Sequence, residues 1–99
     1  MKNPIFSEIC LLKGNLILAE NPQNYAEAET WYRQALESAR ERQTLMMMLR
    51  AAIKLGRLWQ TQNKKKQGWQ LLNEVYSIFT EGFSTDDLQE AKALLAELS

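Results

Sequence analysis

Apolar residues recur along this chain at spacings of three and four, the period of one helical face, and nowhere alternate as a half-buried strand would. Ile5, Ile9, Leu12, Leu16 and Ala19 mark the stripe of a first helix that begins at Pro4, a residue suited to a first helical turn. The helix runs to about Glu20, because Pro22 disfavours helical backbone in the residue before it. Asn24 followed by Glu27 reads as a capping box, each side chain satisfying a backbone N–H of a second helix that extends to about Arg42. That helix turns Ala28, Trp31, Tyr32, Ala35, Leu36 and Ala39 inward. Thr44 starts a third, with the stripe Leu45, Met48, Leu49, Ala52, Leu55, Gly56 and Trp59, which ends at Gln62-Asn63. A fourth, from about Lys65 to Thr80, carries Gly68, Leu71, Leu72, Val75, Tyr76 and Phe79. Glu81-Gly82-Phe83 is a stop signal, and Ser84 with Asp87 caps a last helix bearing Leu88, Ala91, Leu95 and Leu98.

Helices of similar length joined by short polar turns suit either a bundle or a stack of hairpins, and internal similarity favours the stack. Leu55-Gly56-x-x-Trp59 has the form of the first tetratricopeptide helix, and Ala28-x3-Tyr32-x2-Ala35 that of the second. Gly14 aligns with Gly56, and Ala28, Tyr32 and Ala35 align with Gly68, Leu72 and Val75. Small residues at Gly14, Gly56, Ala28 and Gly68 let two helices approach, while Tyr32 and Trp59 fill the space between hairpins. The offsets, about 40 to 42 residues, exceed the ordinary tetratricopeptide period of about 34. Lys13 stands where the pattern has Leu, and Ile17 where it has an aromatic. The expectation is an all-α fold of five helices in one domain, 1–99. Its parts are repeat one at about 4–42, repeat two at about 44–80 and a capping helix at about 85–98.

From Leu11 to Leu98 the chain resembles the last repeats of the long-period tetratricopeptide arrays that close bacterial multidomain signalling ATPases and ATPase-linked nucleotide cyclases. The resemblance is carried by Leu12-Lys13-Gly14, Ala26-Glu27-Ala28-Glu29, Arg33-Gln34-Ala35-Leu36, Leu58-Trp59, the corner Phe79-Thr80-Glu81-Gly82-Phe83 and the closing 87–95 segment. It implies a scaffold that binds protein. The catalytic and nucleotide-binding domains of such proteins are not in this chain, so neither activity carries over.

Composition agrees with one soluble globular domain: 99 residues, of which 45% are hydrophobic and 24% charged, the ordinary globular mixture. Twelve basic and twelve acidic residues cancel, which removes the global cationic field of a dedicated nucleic-acid binder. The distribution is uneven. Residues 40–66 hold eight Lys or Arg against Glu41 alone, a net +7, and residues 81–99 hold five acids against Lys92, a net −4. Such asymmetry points to complementary surfaces, within the domain or towards a partner. Nucleic-acid binding through 40–66 is the alternative reading, although Lys64-Lys65-Lys66 falls in a turn where solvated charge is ordinary.

Candidate chemistry is sparse. Phosphate-loop, dinucleotide-binding and H-E-x-x-H motifs are lacking, and so is histidine. Cys10, the single cysteine, sits in an apolar helical stretch and reads as a core residue. Asp86 and Asp87 read as helix-start residues favoured by the dipole. No catalytic residue, cofactor or metal is expected, and the absence of an apolar spanning run suits a cytoplasmic protein. Met46, Met47 and Met48 cannot all face inward, so one or two are left for a contact. Trp69, beside Gly68, either marks an interface or covers the last helix.

The resemblance also implies where a partner sits. The first helix of each hairpin lines a concave groove in tetratricopeptide stacks, which gives Met46, Arg50, Ile53, Arg57 and Gln60, with Lys54 at the margin, and Glu8, Leu11, Asn15 and Leu18 opposite. Asn15 with Arg50 and Lys54 resembles part of the carboxylate clamp of some such domains, with Leu11 where the clamp has Lys. The expected ligand is an acidic, partly apolar peptide forked by Arg50 and Arg57, unless these cations pair with Glu8 and the acidic last helix. Phe6, Cys10, Leu11, Ile17 and Leu18 fall outside the first helix's stripe and call for a cover, either a second copy or preceding repeats.

Overall fold

The computed structural model describes residues 5–79 and 86–99. Within them the chain forms α1 (Phe6–Glu20), α2 (Tyr25–Arg42), α3 (Leu45–Thr61), α4 (Lys65–Tyr76) and α5 (Asp86–Leu98), with no strand among the described residues. The protein is all-α. Glu81-Gly82-Phe83 and Ser84, expected to stop the fourth helix and cap the last, lie outside the described residues, as does Pro4.

Local chemistry sets the turns. Before Pro22, Asn21 is extended, and its Oδ1 accepts the Gln23 N–H at 3.1 Å. After α2 and α3 the chain makes the same manoeuvre twice. Gln43 (φ 57°) and Asn63 (φ 61°) both enter the left-handed region. In each case the next amide reaches back five residues, Thr44 to the Ala39 carbonyl at 2.9 Å and Lys64 to that of Trp59 at 2.7 Å, which satisfies carbonyls a helix end would otherwise leave open. Both closures use a non-glycine residue. The expected capping box is corrected: Asn24 does precede α2, but its Nδ2 donates to Glu27 Oε2 at 2.7 Å, and neither side chain bonds a backbone N–H. Helix α4 also stops earlier than its periodicity predicts, at Tyr76, where Ser77 turns its hydroxyl onto the Glu74 carbonyl at 2.9 Å, a local bond that competes with the helical ladder.

Consecutive helices pack as antiparallel neighbours. Helices α1, α3 and α5 form one layer and α2 with α4 the other. The resulting slab measures 37 × 36 × 19 Å, its short dimension about the thickness of two helices. The pairs Arg50–Asp87, Arg57–Glu90 and Gln60–Glu97 follow in the same order along α3 and α5, so these two run parallel. Helix α3 touches all four others and is buried on most of its circumference, which is why Met47, Ala51, Ile53 and Leu58 are covered besides its predicted stripe. Leu45, at its start, is exposed instead.

Helix α1 faces the opposite way from its predicted stripe. Ser7, Cys10, Leu11 and Gly14 are buried, while Leu12 and Leu16 are 60% and 61% exposed. Of the residues expected to need a cover, the fold buries Cys10 and Leu11 and half-buries Phe6, Ile17 and Leu18, while Leu12 and Leu16 of the stripe are left outside. The cause is Tyr32. A Cβ on Gly14 would lie 2.4 Å from the Tyr32 ring, so only glycine admits that ring, and the ring fixes which face of α1 meets α2. Tyr32 therefore packs within the first hairpin as well as facing, as expected, the space between hairpins. Gly56 and Gly68 do a related job in the second hairpin, where a Cβ on Gly68 would stand 3.3 Å from the Gly56 carbonyl. Leu94 and Leu98 of α5 close over that crossing.

Candidate partner-binding furrow

Because α1 and α3 lie side by side but barely touch, a furrow opens between them. Its two cavities, about 470 and 450 Å³, share Asn15 and Lys54 and so lie end to end on either side of that pair. On α1 the lining residues Glu8, Leu11, Asn15 and Leu18 are spaced by three and four, the repeat of one helical face, and Leu12 borders the furrow at its outer edge. On α3, Met47, Lys54, Leu58 and Thr61 follow the same rule, with Arg50 and Arg57 on the rim towards α5. Tyr25 and Tyr32 of α2 close one half, and Asp87 and Glu90 of α5 border the other.

At the waist, Tyr32 Oη donates to Asn15 Oδ1 at 2.6 Å. This orients the carboxamide, and burial raises the Tyr32 phenol above its ordinary pKa. Beside it stands Lys54, half-buried and without an ion pair among the described residues.

Of the two expectations for the α3 cations, the structure shows the pairing with the acidic last helix and not a free basic groove. Arg50 Nε donates to Asp87 Oδ2 at 3.0 Å, and Arg57 directs Nε and Nη2 to Glu90 Oε2 at 3.1 and 3.0 Å. Gln60 donates to Glu97 at 3.1 Å. Two cations of the basic 40–66 segment, Arg50 and Arg57, thus meet the acidic last helix within the domain, and Arg40 reaches Glu74 of α4 at 3.4 Å. Lys64, Lys65 and Lys66 remain exposed, away from the furrow.

The furrow gathers Asn15, Arg50, Ile53, Lys54 and Arg57, of which Ile53 is 3% exposed and contributes floor more than surface. Met46 is half-buried and does not line it; Met47 takes that place. Trp69 lies on α4 in the other layer, 37% exposed, beside Lys65, Lys66 and Leu98. Sequence reasoning missed Met47, Leu58, Thr61 and the two tyrosines. The signal was present in the 47, 54, 58, 61 spacing, which shares Lys54 with the row expected. Trp59 is buried as expected, its Nε1 donating to Glu29 Oε1 at 2.9 Å under the Arg33 guanidinium.

No known family, curated protein or solved structure matches the chain. Among the described residues no three His, Cys, Asp or Glu side chains converge to hold a metal, and no helix is long and apolar enough to cross a membrane. Cys10 is fully buried, and that burial raises its thiol pKa against the smaller lowering by Lys13. What the furrow offers chemically is an apolar floor with one cation and one oriented amide at its middle.

Proposed function

We propose that the chain is a non-catalytic protein-interaction module of the tetratricopeptide kind, related to the terminal repeats of bacterial signalling proteins, and that the α1–α3 furrow holds a peptide segment of its partner. The observation that carries this reading is the waist: Lys54 and Asn15 side by side between two apolar-floored cavities. Leu11, Leu18, Met47 and Leu58 supply non-directional affinity along the furrow, and a half-buried cation with an amide supplies position. Since Arg50 and Arg57 are matched by α5, the ligand needs one carboxylate at the waist flanked by apolar residues, less charge than a basic groove would demand. The reading assigns the chain to the cytoplasm, where the single thiol of Cys10 is at home.

Selection of displayed random peptides should enrich segments with an acid between apolar residues, and amide shift perturbations on titration should centre on Leu11, Asn15 and Lys54. Reversing the charge in Lys54→Glu should weaken a selected peptide at least about tenfold, the loss expected for one partly buried charge pair. Binding indifferent to Lys54→Glu would refute the assignment. Salt-dependent retention of mixed oligonucleotides through Lys64–Lys66, without peptide binding, would replace it with the nucleic-acid alternative.

A further inference from the structure

The outward face of α1 poses a separate question from the furrow. Ile9, Leu12, Leu16 and Ala19 continue the spacing that begins at Ile5, so an apolar seam runs the length of the helix on the side away from α2. Leu12 and Leu16 are the two most exposed large hydrophobic residues described. Spacings of four, three, four and three are those of a coiled-coil seam, with Ile9 and Leu16 at one core position and Leu12 and Ala19 at the other.

The flanks identify the occupant. Glu8 precedes one core position and Lys13 follows the other, five residues further on and across the seam. In two parallel helices that is the relation by which an acid on one reaches a base on its mate. A second α1 in parallel register would therefore set Glu8 against Lys13 twice, once on each side. An antiparallel pair centred on Leu12 would instead bring the two Lys13 side chains to the same flank. We infer that α1 is a homodimerisation helix, pairing in parallel with α1 of a second copy of this chain through Leu12 and Leu16.

This inference does not rest on the furrow reading, although Glu8 and Leu12 also border the furrow. Helix α1 is already held rigid against α2 by the Gly14–Tyr32 contact, so pairing orders little new chain. Lys13, whose ammonium lies 4.7 Å from the centre of the Trp31 ring, is already held on the flank where the mate's Glu8 arrives. A seam of this length makes a small interface, so dimerisation should depend on concentration.

In sedimentation equilibrium the 11.5 kDa chain should approach twice that mass as its concentration rises. Leu12→Glu with Leu16→Glu should weaken association by at least about tenfold per leucine, with helical circular dichroism unchanged because both residues are exposed. Glu8→Lys alone should weaken it, and Glu8→Lys with Lys13→Glu should restore it. Under mild oxidation Ala19→Cys should give a covalent dimer, since parallel register alone brings residue 19 to its own mate. Peptide binding should survive in Leu16→Glu, and dimerisation in Lys54→Glu, so the two readings fail separately. A chain monomeric at millimolar concentration, a dimer that persists in the Leu12→Glu/Leu16→Glu variant, or a dimer in which Ala19→Cys does not crosslink would overturn the inference. Capture of a different protein by these leucines in place of self-association would overturn it too.

Discussion

Gly14→Ala should destabilise the domain, although alanine is the better helix former. The new Cβ would stand 2.4, 2.8 and 2.9 Å from Tyr32 Cε1, Cδ1 and Cζ. Relief to ordinary van der Waals contact requires the ring to retreat by about 1 Å. The ring is buried, and its hydroxyl is tethered to Asn15 at 2.6 Å, which closes the easy direction of escape. Overpacking of this kind costs about 1–3 kcal/mol. A strained hydrogen bond adds up to about 1 kcal/mol. Improved helix propensity returns about 1 kcal/mol. The net loss is about 2 kcal/mol, a large share of the roughly 5–15 kcal/mol a chain of this size commands. Urea unfolding followed by circular dichroism should show a midpoint lower by roughly 1–2 M with unchanged slope. Gly56→Ala is the control, because its Cβ would meet the Leu94 Cδ2 methyl at 3.3 Å and otherwise only ordinary contacts, Leu98 Cδ1 at 3.7 Å and the Gly68 carbonyl at 4.0 Å. Its outcome should be neutral or stabilising by up to about 1 kcal/mol. In a Tyr32→Leu background the penalty of Gly14→Ala should shrink. If Gly14→Ala raised the midpoint, or behaved like Gly56→Ala, the account of how α1 chooses its face would be wrong.

Glu29 should make stability depend on acid. Burial pushes its carboxyl pKa up, but the hydrogen bonds from Trp59 and Arg33 with the charges of Arg33 and Lys64 outweigh it, and the net pKa lies below 4.5. A depressed folded pKa stabilises above the unfolded value, so the advantage over Glu29→Gln should be full at neutral pH. It should fade as pH falls from 4.5 through the folded pKa, read by chemical denaturation at a series of pH values; a constant difference would contradict the pairing. Cys10 should resist a thiol reagent in the native state and react at the rate of global or local opening, so labelling should accelerate with denaturant; immediate native labelling would contradict its burial.

The helices themselves were legible because four of the five have one dominant apolar face, in α3 broad enough to take in most of its circumference. Helix α1 does not. With Ile5, Phe6, Ile9, Leu11, Leu12, Leu16, Ile17 and Leu18 spread around it, period alone selects no face, and the longest stripe was the wrong one. Small residues decided the matter: Ser7, Cys10 and Gly14 fall at spacings of three and four, and only there can an aromatic ring from α2 come close. In the furrow, the positions of Asn15, Lys54 and Arg57 followed from the tetratricopeptide resemblance, with helical spacing choosing the row. Their electrostatics did not, because whether Arg50 and Arg57 face a ligand or α5 depends on how the last helix docks, which charge blocks leave open.

Every helix here packs against its neighbours in sequence, and the cross-ties are short as well: Arg50–Asp87 and Gln60–Glu97 each span 37 residues of chain. Little loop entropy must be lost before native contacts begin to form, which places the domain among fast-folding topologies. The same arrangement makes cooperativity uneven. Helix α1 meets α2 and only the edge of α3, so its amides can exchange through a local opening that leaves α3, α4 and α5 intact, whereas α3, enclosed by all four others, exchanges only when the whole domain opens.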